Sequence, residues 1–249
     1  MNQFKIIDVG TTKTTNTAAR ELPVDGTTPT VVISDNQTAG RGQRGNSWES
    51  EPGKNLTFSL VVYPRFISPA AQFELSMLVS LGIVSALDSY IEGQWLSIKW
   101  PNDIYFGDRK IAGILIENSL SEHSIERSII GIGLNVNQTT FKSDAPNPIS
   151  LTHATGLTLD RQKLLDAVCN SIIDYIYQYE SDPEPDELAA LYNNRLWRKD
   201  GQYHVWHDVA TDKDFRGMLL GVGLDGRISI VDTEGTIHTY LFKEVQAVL

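Results

Sequence analysis

The chain has 249 residues, 41% of them hydrophobic and 21% charged, and a formal net charge of −10 at pH 7. That length holds one large domain, or one large and one small, around a properly buried core. The acidic balance argues against duplex nucleic acid as the main partner, because such binding draws its affinity from Lys and Arg neutralising phosphates.

Taken in chain order, the N-terminal Met-Asn-Gln-Phe-Lys-Ile-Ile-Asp lacks the apolar region of a signal peptide, so a cytoplasmic location is the default expectation. Apolar, β-branched runs predict strands at 4–9, 30–34, 56–63, 96–100, 110–117 and 128–137. Ser68-Pro69 reads as an N-cap with proline at the first helical position, opening a helix to about residue 91. Its apolar stretch, 73–91, is interrupted by Glu74, Ser76, Ser80, Gly82, Ser85, Asp88 and Ser89, and no membrane span is expected there. The turn at Tyr105-Phe106-Gly107-Asp108-Arg109 suggests that 96–100 and 110–117 are antiparallel neighbours. Asp160 is placed to cap a second long helix to about Tyr179, and 187–196 is a shorter third. The single cysteine, Cys169, falls on the apolar face of the second helix and reads as a packed thiol, not a nucleophile.

After Trp197 the character changes to short alternating runs at 203–206, 215–222, 227–231 and 236–242, separated by Leu224-Asp225-Gly226 and Thr233-Glu234-Gly235. Such runs suggest a small SH3-like β-barrel. The fold class expected is α+β, with a mixed or antiparallel sheet, helices to one side and the barrel appended: a first domain over 1–195 and a second over 196–249. Regular βαβ alternation is absent. Nothing before Phe4 is long enough for a further domain.

Gly40-Arg41-Gly42-Gln43-Arg44-Gly45 matches G-x-G-x-x-G after a predicted strand. A dinucleotide site needs the last glycine to open a helix, whereas Gly45 leads into Asn-Ser-Trp-Glu-Ser-Glu-Pro-Gly, which has no helical period. About 20 positions on, where an acidic ribose partner is expected, stands Tyr63-Pro64-Arg65. The P-loop reading fails because its lysine position is Asn46. The segment still suits an anion, through close backbone approach at glycine and the planar cations Arg41 and Arg44. A solvated surface turn is the competing reading.

Four further segments follow in order. They are Thr14-Thr15-Asn16; Asn36-Gln37-Thr38-Ala39 leading into Gly40; Lys99-Trp100-Pro101-Asn102-Asp103 before Arg109-Lys110-Ile111-Ala112-Gly113-Ile114-Leu115-Ile116-Glu117; and Gly131-Ile132-Gly133-Leu134-Asn135-Val136-Asn137. With the glycine-rich loop, this set resembles the biotin–protein ligases over almost the whole chain. The resemblance implies a catalytic domain related to class II aminoacyl-tRNA synthetases with an SH3-like domain after it. It implies two steps: biotin and Mg-ATP form biotinyl-adenylate and pyrophosphate, and a lysine of a biotin carboxyl carrier domain then takes the biotinyl group, releasing AMP. Biotin and ATP are thus substrates, and Mg2+ accompanies ATP with no protein ligands identified.

The resemblance also implies roles. Thr14, Thr15, Asn16 and Gln37 correspond to polar contacts with biotin, suited to a urea that both donates and accepts; a helix N-cap and an exposed loop amide are the plainer readings. Gly42, Gln43 and Gly113 line biotin, with Gly113 and Gly131 permitting close approach or marking bulges. Arg41 and Lys110 correspond to the cations that bring the biotin carboxylate and the ATP phosphate together, offsetting the repulsion of two anions. Asp103 corresponds to the group that aligns the acceptor lysine, or is a turn aspartate. Arg44, Trp48 and Asn135 correspond to adenylate contacts. Gln43 departs from the family pattern, which often has arginine there, so a looser hold on the adenylate is expected. A ligase without a DNA-binding domain is implied, with no nucleic acid or membrane partner; a homodimer through the edge of 128–137 stays open. The alternatives are a lipoate–protein ligase, a biotin sensor without catalysis, or a nucleotide-binding regulator.

Overall fold

A computed structural model of the chain describes residues 3–23, 25–43, 46–91, 95–143 and 147–249. In chain order the elements are β1 (Lys5–Asp8), β2 (Thr11–Thr12), α1 (Thr15–Glu21), β3 (Thr30–Ser34), β4 (Asn36–Gln37), β5 (Leu56–Val62) and α2 (Gln72–Leu87). Then come β6 (Leu96–Lys99), β7 (Asp103–Phe106), β8 (Arg109–Leu120), β9 (Ile125–Leu134), α3 (Leu151–Thr155), α4 (Arg161–Ser181) and α5 (Pro185–Asn194). The C-terminal strands are β10 (Tyr203–Asp208), β11 (Lys213–Val222), β12 (Ile228–Asp232), β13 (Ile237–Tyr240) and β14 (Val245–Ala247).

Seven strands form one mixed sheet in the order β1-β3-β5-β9-β8-β7-β6, in which β1 and β3 are parallel and the remaining neighbours antiparallel. Successive side chains alternate between its faces. Val31, Leu60 and Ile130 enter the main core beneath α2 and α4, whereas Val32, Val61 and Ile129 form a second cluster with Ala19 of α1. Helices therefore cover both faces, and the expectation of helices to one side is corrected. The cause is α1, too short to show a helical period and opened by Thr14, whose hydroxyl accepts from the Thr17 amide at 3.0 Å.

Three more expectations change. The segments 96–99 and 109–120 are not neighbours: β7, a four-residue strand in the Asn-Asp turn region, lies between them and pairs with both. β9 lies between β5 and β8 in the sheet interior, so pairing of this strand across a dimer edge is closed. The stretch 69–87 does form a helix long and apolar enough to cross a membrane, because Ser, Gly and Ala interrupt apolarity without abolishing it. Eleven of the sixteen residues of α2 are buried, and it packs between the sheet and α4. Its start also differs, with a 3-10 turn at Pro69–Ala71 and no side-chain cap from Ser68. Asp160 does cap α4, accepting from the amides of Gln162 and Lys163 at 3.0 and 3.2 Å. Cys169 is fully buried there, and burial raises its thiol pKa well above the usual value, consistent with a packed, unreactive group.

The C-terminal strands form a five-stranded antiparallel sheet in the order β13-β12-β11-β10-β14, whose buried Trp206, Leu219, Val222 and Ile228 continue the main core. Asn193 at the end of α5 clamps it, donating to the Val222 carbonyl at 2.9 Å and accepting from the Val222 amide at 2.8 Å. The Trp100 indole donates to the Gly226 carbonyl at 3.0 Å. The linking residues 195–197 run along the outer edge of β6, with Ile98 donating to Arg195 and Trp197 donating to Ile98.

The approach of α2 to α4 is set by Gly82. A Cβ there would lie 2.7 Å from the Ile172 Cα and 2.9 Å from its Cγ1, closer than backbone can yield. Gly82→Ala is expected to destabilise the fold by about 1–3 kcal/mol, overpacking outweighing alanine's better helix propensity. Urea unfolding would check this; an unchanged or higher midpoint would show that the helices can part freely.

Candidate active site

The site begins as a row of residues across the sheet on the face that carries α1. Register aligns Ser34, Thr57, Gly133, Gly113, Asp103 and Lys99 on six successive strands. A second row holds Ser59, Gly131 and Leu115. Three glycines at adjoining positions leave a floor without side chains, and the space is filled by groups from elsewhere. A Cβ on Gly131 would collide with the Asn16 carboxamide, one on Gly133 with the Trp48 indole, and one on Gly113 would come within 3.1 Å of Trp48 Cζ3 and 3.2 Å of Lys110 Cε. The bulge reading of Gly113 gives way to close approach, since the irregularity lies one step further on.

At one end of this floor, the first turn of α1 brings in Thr14, Thr15 and Asn16, all buried. Ser59 donates to the Asn16 Oδ1 at 2.6 Å and lies 2.8 Å from the Thr15 hydroxyl. Asn16 Nδ2 donates to Glu117 at 2.8 Å, and Glu117 in turn pairs with Arg20 at 2.9 Å. The Thr15 amide donates to the Gln37 side-chain oxygen at 2.8 Å, which fixes Gln37 with its amide nitrogen still free to donate. The capping reading holds for Thr14, which caps α1 and also lines the cleft.

Residues 40–43 and 46–48 lie side by side over the floor. Trp48 donates to the Gly40 carbonyl at 3.0 Å, Gly42 donates to Asn46 at 2.7 Å, and Arg41 bridges Ser47. Among the described residues after Gly45, the first helical turn begins at Pro69. Gly40 is needed because a Cβ would strike the Trp48 carbonyl; at Gly42 a Cβ meets only ordinary contacts. Glu49 anchors the outgoing strand, accepting from the amides of Lys142 and Ser143 and from Gln138. Desolvation pushes its carboxyl pKa up, but these donated hydrogen bonds outweigh it and hold the pKa below the usual value.

Lys110 reaches the site because β8 contains a bulge. Ile104 pairs with Ala112 and Tyr105 with Lys110, so Ile111 is the extra residue; both Ile111 and Ala112 are fully buried in the core. Without the bulge, alternation from Gly113 would send Lys110 to the core face. With it, the Lys110 ammonium lies 2.6 Å from Asp103 and 5.6 Å from the centre of the Trp48 ring. Asn102 secures the turn before Asp103, donating to the Ile114 carbonyl at 2.8 Å while its own carbonyl accepts from the Ile114 amide at 2.9 Å.

These groups line one cleft of about 840 Å3 between the sheet and the C-terminal strands. It brings together Thr14, Thr15, Asn16, Gln37, Arg41, Gly42, Gln43, Trp48, Asp103, Lys110 and Gly113. Arg41 is exposed and lies 3.4 Å from the Thr17 hydroxyl. Arg44 lies outside the described residues. Asn135 is buried and is not among the residues that line the cleft; its amide donates to the Ile149 carbonyl at 3.1 Å. Within the cleft, the Trp48 Nε1 and Gln43 Oε1 are buried without a hydrogen-bond partner among the described residues. Orphaned polar atoms of this kind suit a ligand that supplies the missing partners. Sequence reading assigned no role to Lys99, Trp197, Phe242 or Lys243, which also line the cleft. Lys99 stood in the quoted motif, but the strand pairing that aligns it with Asp103 was not foreseen.

A family model for the Biotin/lipoate A/B protein ligase family matches residues 9–135, just over half of the chain. Among curated relatives, the bifunctional ligase/repressor BirA of Bacillus spizizenii is 34% identical over 163 residues, 64% of this chain and 48% of its own. The chain thus spans about half the length of the first relatives it matches. The biotin--[acetyl-CoA-carboxylase] ligase of Mycobacterium tuberculosis is 29% identical over 231 residues, 89% of this chain and 82% of its own. The solved biotin protein ligase of Aquifex aeolicus in complex with biotin and ATP is 26% identical, covers 98% of this chain and 99% of its own, and superposes with a TM-score of 0.80. On the match over residues 9–135, this chain belongs to the biotin/lipoate A/B protein ligase family.

Proposed function

We propose that the chain is an ATP-dependent biotin–protein ligase that modifies a lysine of a biotin carboxyl carrier domain. The observation that carries the proposal is the union of two cations, Arg41 and Lys110, with a polar recess of Thr14, Thr15, Asn16 and Gln37 on a glycine floor in one cleft. The Aquifex structure, alike over almost its whole length, holds biotin and ATP.

In this reading the polar recess takes the biotin ureido ring, and Gly131 and Gly113 make room for the Asn16, Trp48 and Lys110 side chains that meet the ligand. A biotin carboxylate oxygen attacks the α-phosphorus of ATP, and pyrophosphate departs with the electron pair. Arg41 and Lys110 stabilise charge as it shifts between the two anions. In the second step the carrier amine attacks the acyl carbon; the amide bond forms, the acyl–oxygen bond to phosphate breaks, and AMP leaves. Starting from the ammonium form the carrier lysine gives up two protons, and Asp103 is placed to receive one. Trp48 offers the adenine a stacking surface. Mg2+ enters with the nucleotide as part of the substrate.

The larger sheet over 1–195 is read as the class II synthetase-like domain and 196–249 as an SH3-like barrel. The setting is cytoplasmic, with a homodimer left to experiment and neither nucleic acid nor membrane among the partners proposed.

Incubation with biotin, Mg-ATP and a purified carrier domain should add one biotinyl mass to the carrier, read by mass spectrometry. No labelling, or labelling by lipoate in place of biotin, would overturn the assignment. Arg41→Ala and Lys110→Ala should each slow adenylate formation about a hundredfold or more, on the order of 3 kcal/mol of transition-state stabilisation.

Gln43 lines the cleft where the family often carries arginine, and it offers a buried, unpaired oxygen in place of a charge. A looser hold on biotinyl-adenylate follows, because a neutral amide attracts a phosphate less than a guanidinium does. Gln43→Arg should slow release of the adenylate from the protein in a filter or quench assay. Equal release rates would dismiss this role.

A further inference from the structure

Asp103 and Lys110 are paired at 2.6 Å, with side-chain exposures of 16% and 30%. The proposed chemistry asks Lys110 to serve substrate anions, and Asp103 to be ionised when the acceptor lysine arrives. Once Lys110 turns away, a mostly buried carboxylate is left without its counter-ion, a costly arrangement at the stage where the second step needs it.

A second ammonium stands ready on the same row. Lys99 is the cross-strand partner of Asp103 in the β6–β7 hairpin, so their side chains share a face. Its Nζ sits 5.3 Å from the centre of the Tyr105 ring and 5.8 Å from that of Trp197. Among the described residues no carboxylate lies within 4 Å of it, and it lines the same cleft as Lys110. Two aromatic faces offset part of the cost of a desolvated cation without holding it as a carboxylate would. The Lys stem is flexible enough for its head to move between partners.

We propose that Lys99 is a positioning residue for acyl transfer, taking over the Asp103 carboxylate when Lys110 turns to the substrate.

The charges around Lys99 favour this exchange. Burial is the largest influence and lowers its pKa; Asp103 raises it, and Lys110 and Arg198 lower it. Of the groups facing it, Tyr105 on β7 and Trp197 beyond α5 present rings, while Asp108 accepts from the Trp197 indole at 2.9 Å and does not pair with Lys99. Substrate anions that neutralise Lys110 remove one of the two repulsions acting on Lys99. Its charged form is thereby strengthened at the stage when Asp103 needs it.

The inference rests on the ligase reading, and the two half-reactions separate their fates. The wild type is assayed for pyrophosphate exchange with biotin and ATP, and for single-turnover transfer from preformed biotinyl-adenylate to a carrier domain. If the wild type does neither, the ligase reading itself fails. With both present, Lys99→Met should leave exchange within about twofold and slow transfer at least about tenfold, the order expected for losing a charged hydrogen bond. The acidic limb of the transfer rate should move to higher pH, as expected when a step that depends on a carboxylate loses a nearby cation. Lys99→Arg should restore both rate and limb. Lys99→Gln gives the same reading should the Met variant fail to fold, with exchange as the internal measure of folding. Transfer at the wild-type rate, an unmoved acidic limb, or equal loss in both half-reactions would overturn the role of Lys99.

Discussion

The site depends on backbone being bare where two central strands meet. Gly113, Gly131 and Gly133 occupy the positions on β8 and β9 where any Cβ would run into Asn16, Trp48 or Lys110. A sheet normally raises a side chain every second residue on each face. Here the missing ones leave a recess that α1 fills with small polar groups from one side and Trp48 roofs with an indole from another. Flanking strand residues facing the opposite side, Ile114, Ile130, Ile132 and Leu134, are buried in the main core, so the floor cannot sink to make room for a larger residue.

Electrostatics then divides the cleft. The recess by α1 is neutral and hydrogen-bonding, held by the chain from Ser59 through Asn16 to Glu117 and Arg20. The end near β6 and β7 concentrates charge, with Asp103 between Lys110 and Lys99 and Arg198 close behind. The C-terminal sheet closes this charged end through the Trp100 indole and the Phe242 ring, whose centres lie 6.0 Å apart. A cleft so arranged suits the proposed ligand, a neutral amide-like ring at one end and an anion at the other.

Much of this was legible in the sequence. Strands with unbroken β-branched runs, such as 30–34, and a helix with an evident cap, such as the one after Asp160, follow from local chemistry. The grouping of Thr14, Gln37, Arg41 and Lys110 followed from resemblance, and the fold brings them into one cleft. Local pattern failed where tertiary context decides. β7 is four residues long and starts with the turn pair Asn102-Asp103, so its strand character comes from neighbours on both sides. α1 is a two-turn helix stabilised by its cap and by packing on Val32 and Val61. The bulge at Ile111 has no composition signal: Lys-Ile-Ala-Gly reads as plain strand, yet the extra residue is what turns Lys110 to the cleft. Asn135 shows the converse, a residue assigned by resemblance that is not among those lining the cleft.

The central proposal is that Gly131 seats the Asn16 carboxamide where it can hold biotin. Isothermal titration of biotin into the wild type and Gly131→Ala tests it directly, with circular dichroism confirming that the variant keeps its fold. The added methyl group must displace the Asn16 carboxamide, and affinity should fall at least about tenfold, or about 1.4 kcal/mol. A folded Gly131→Ala protein that binds biotin as tightly as the wild type would contradict the account.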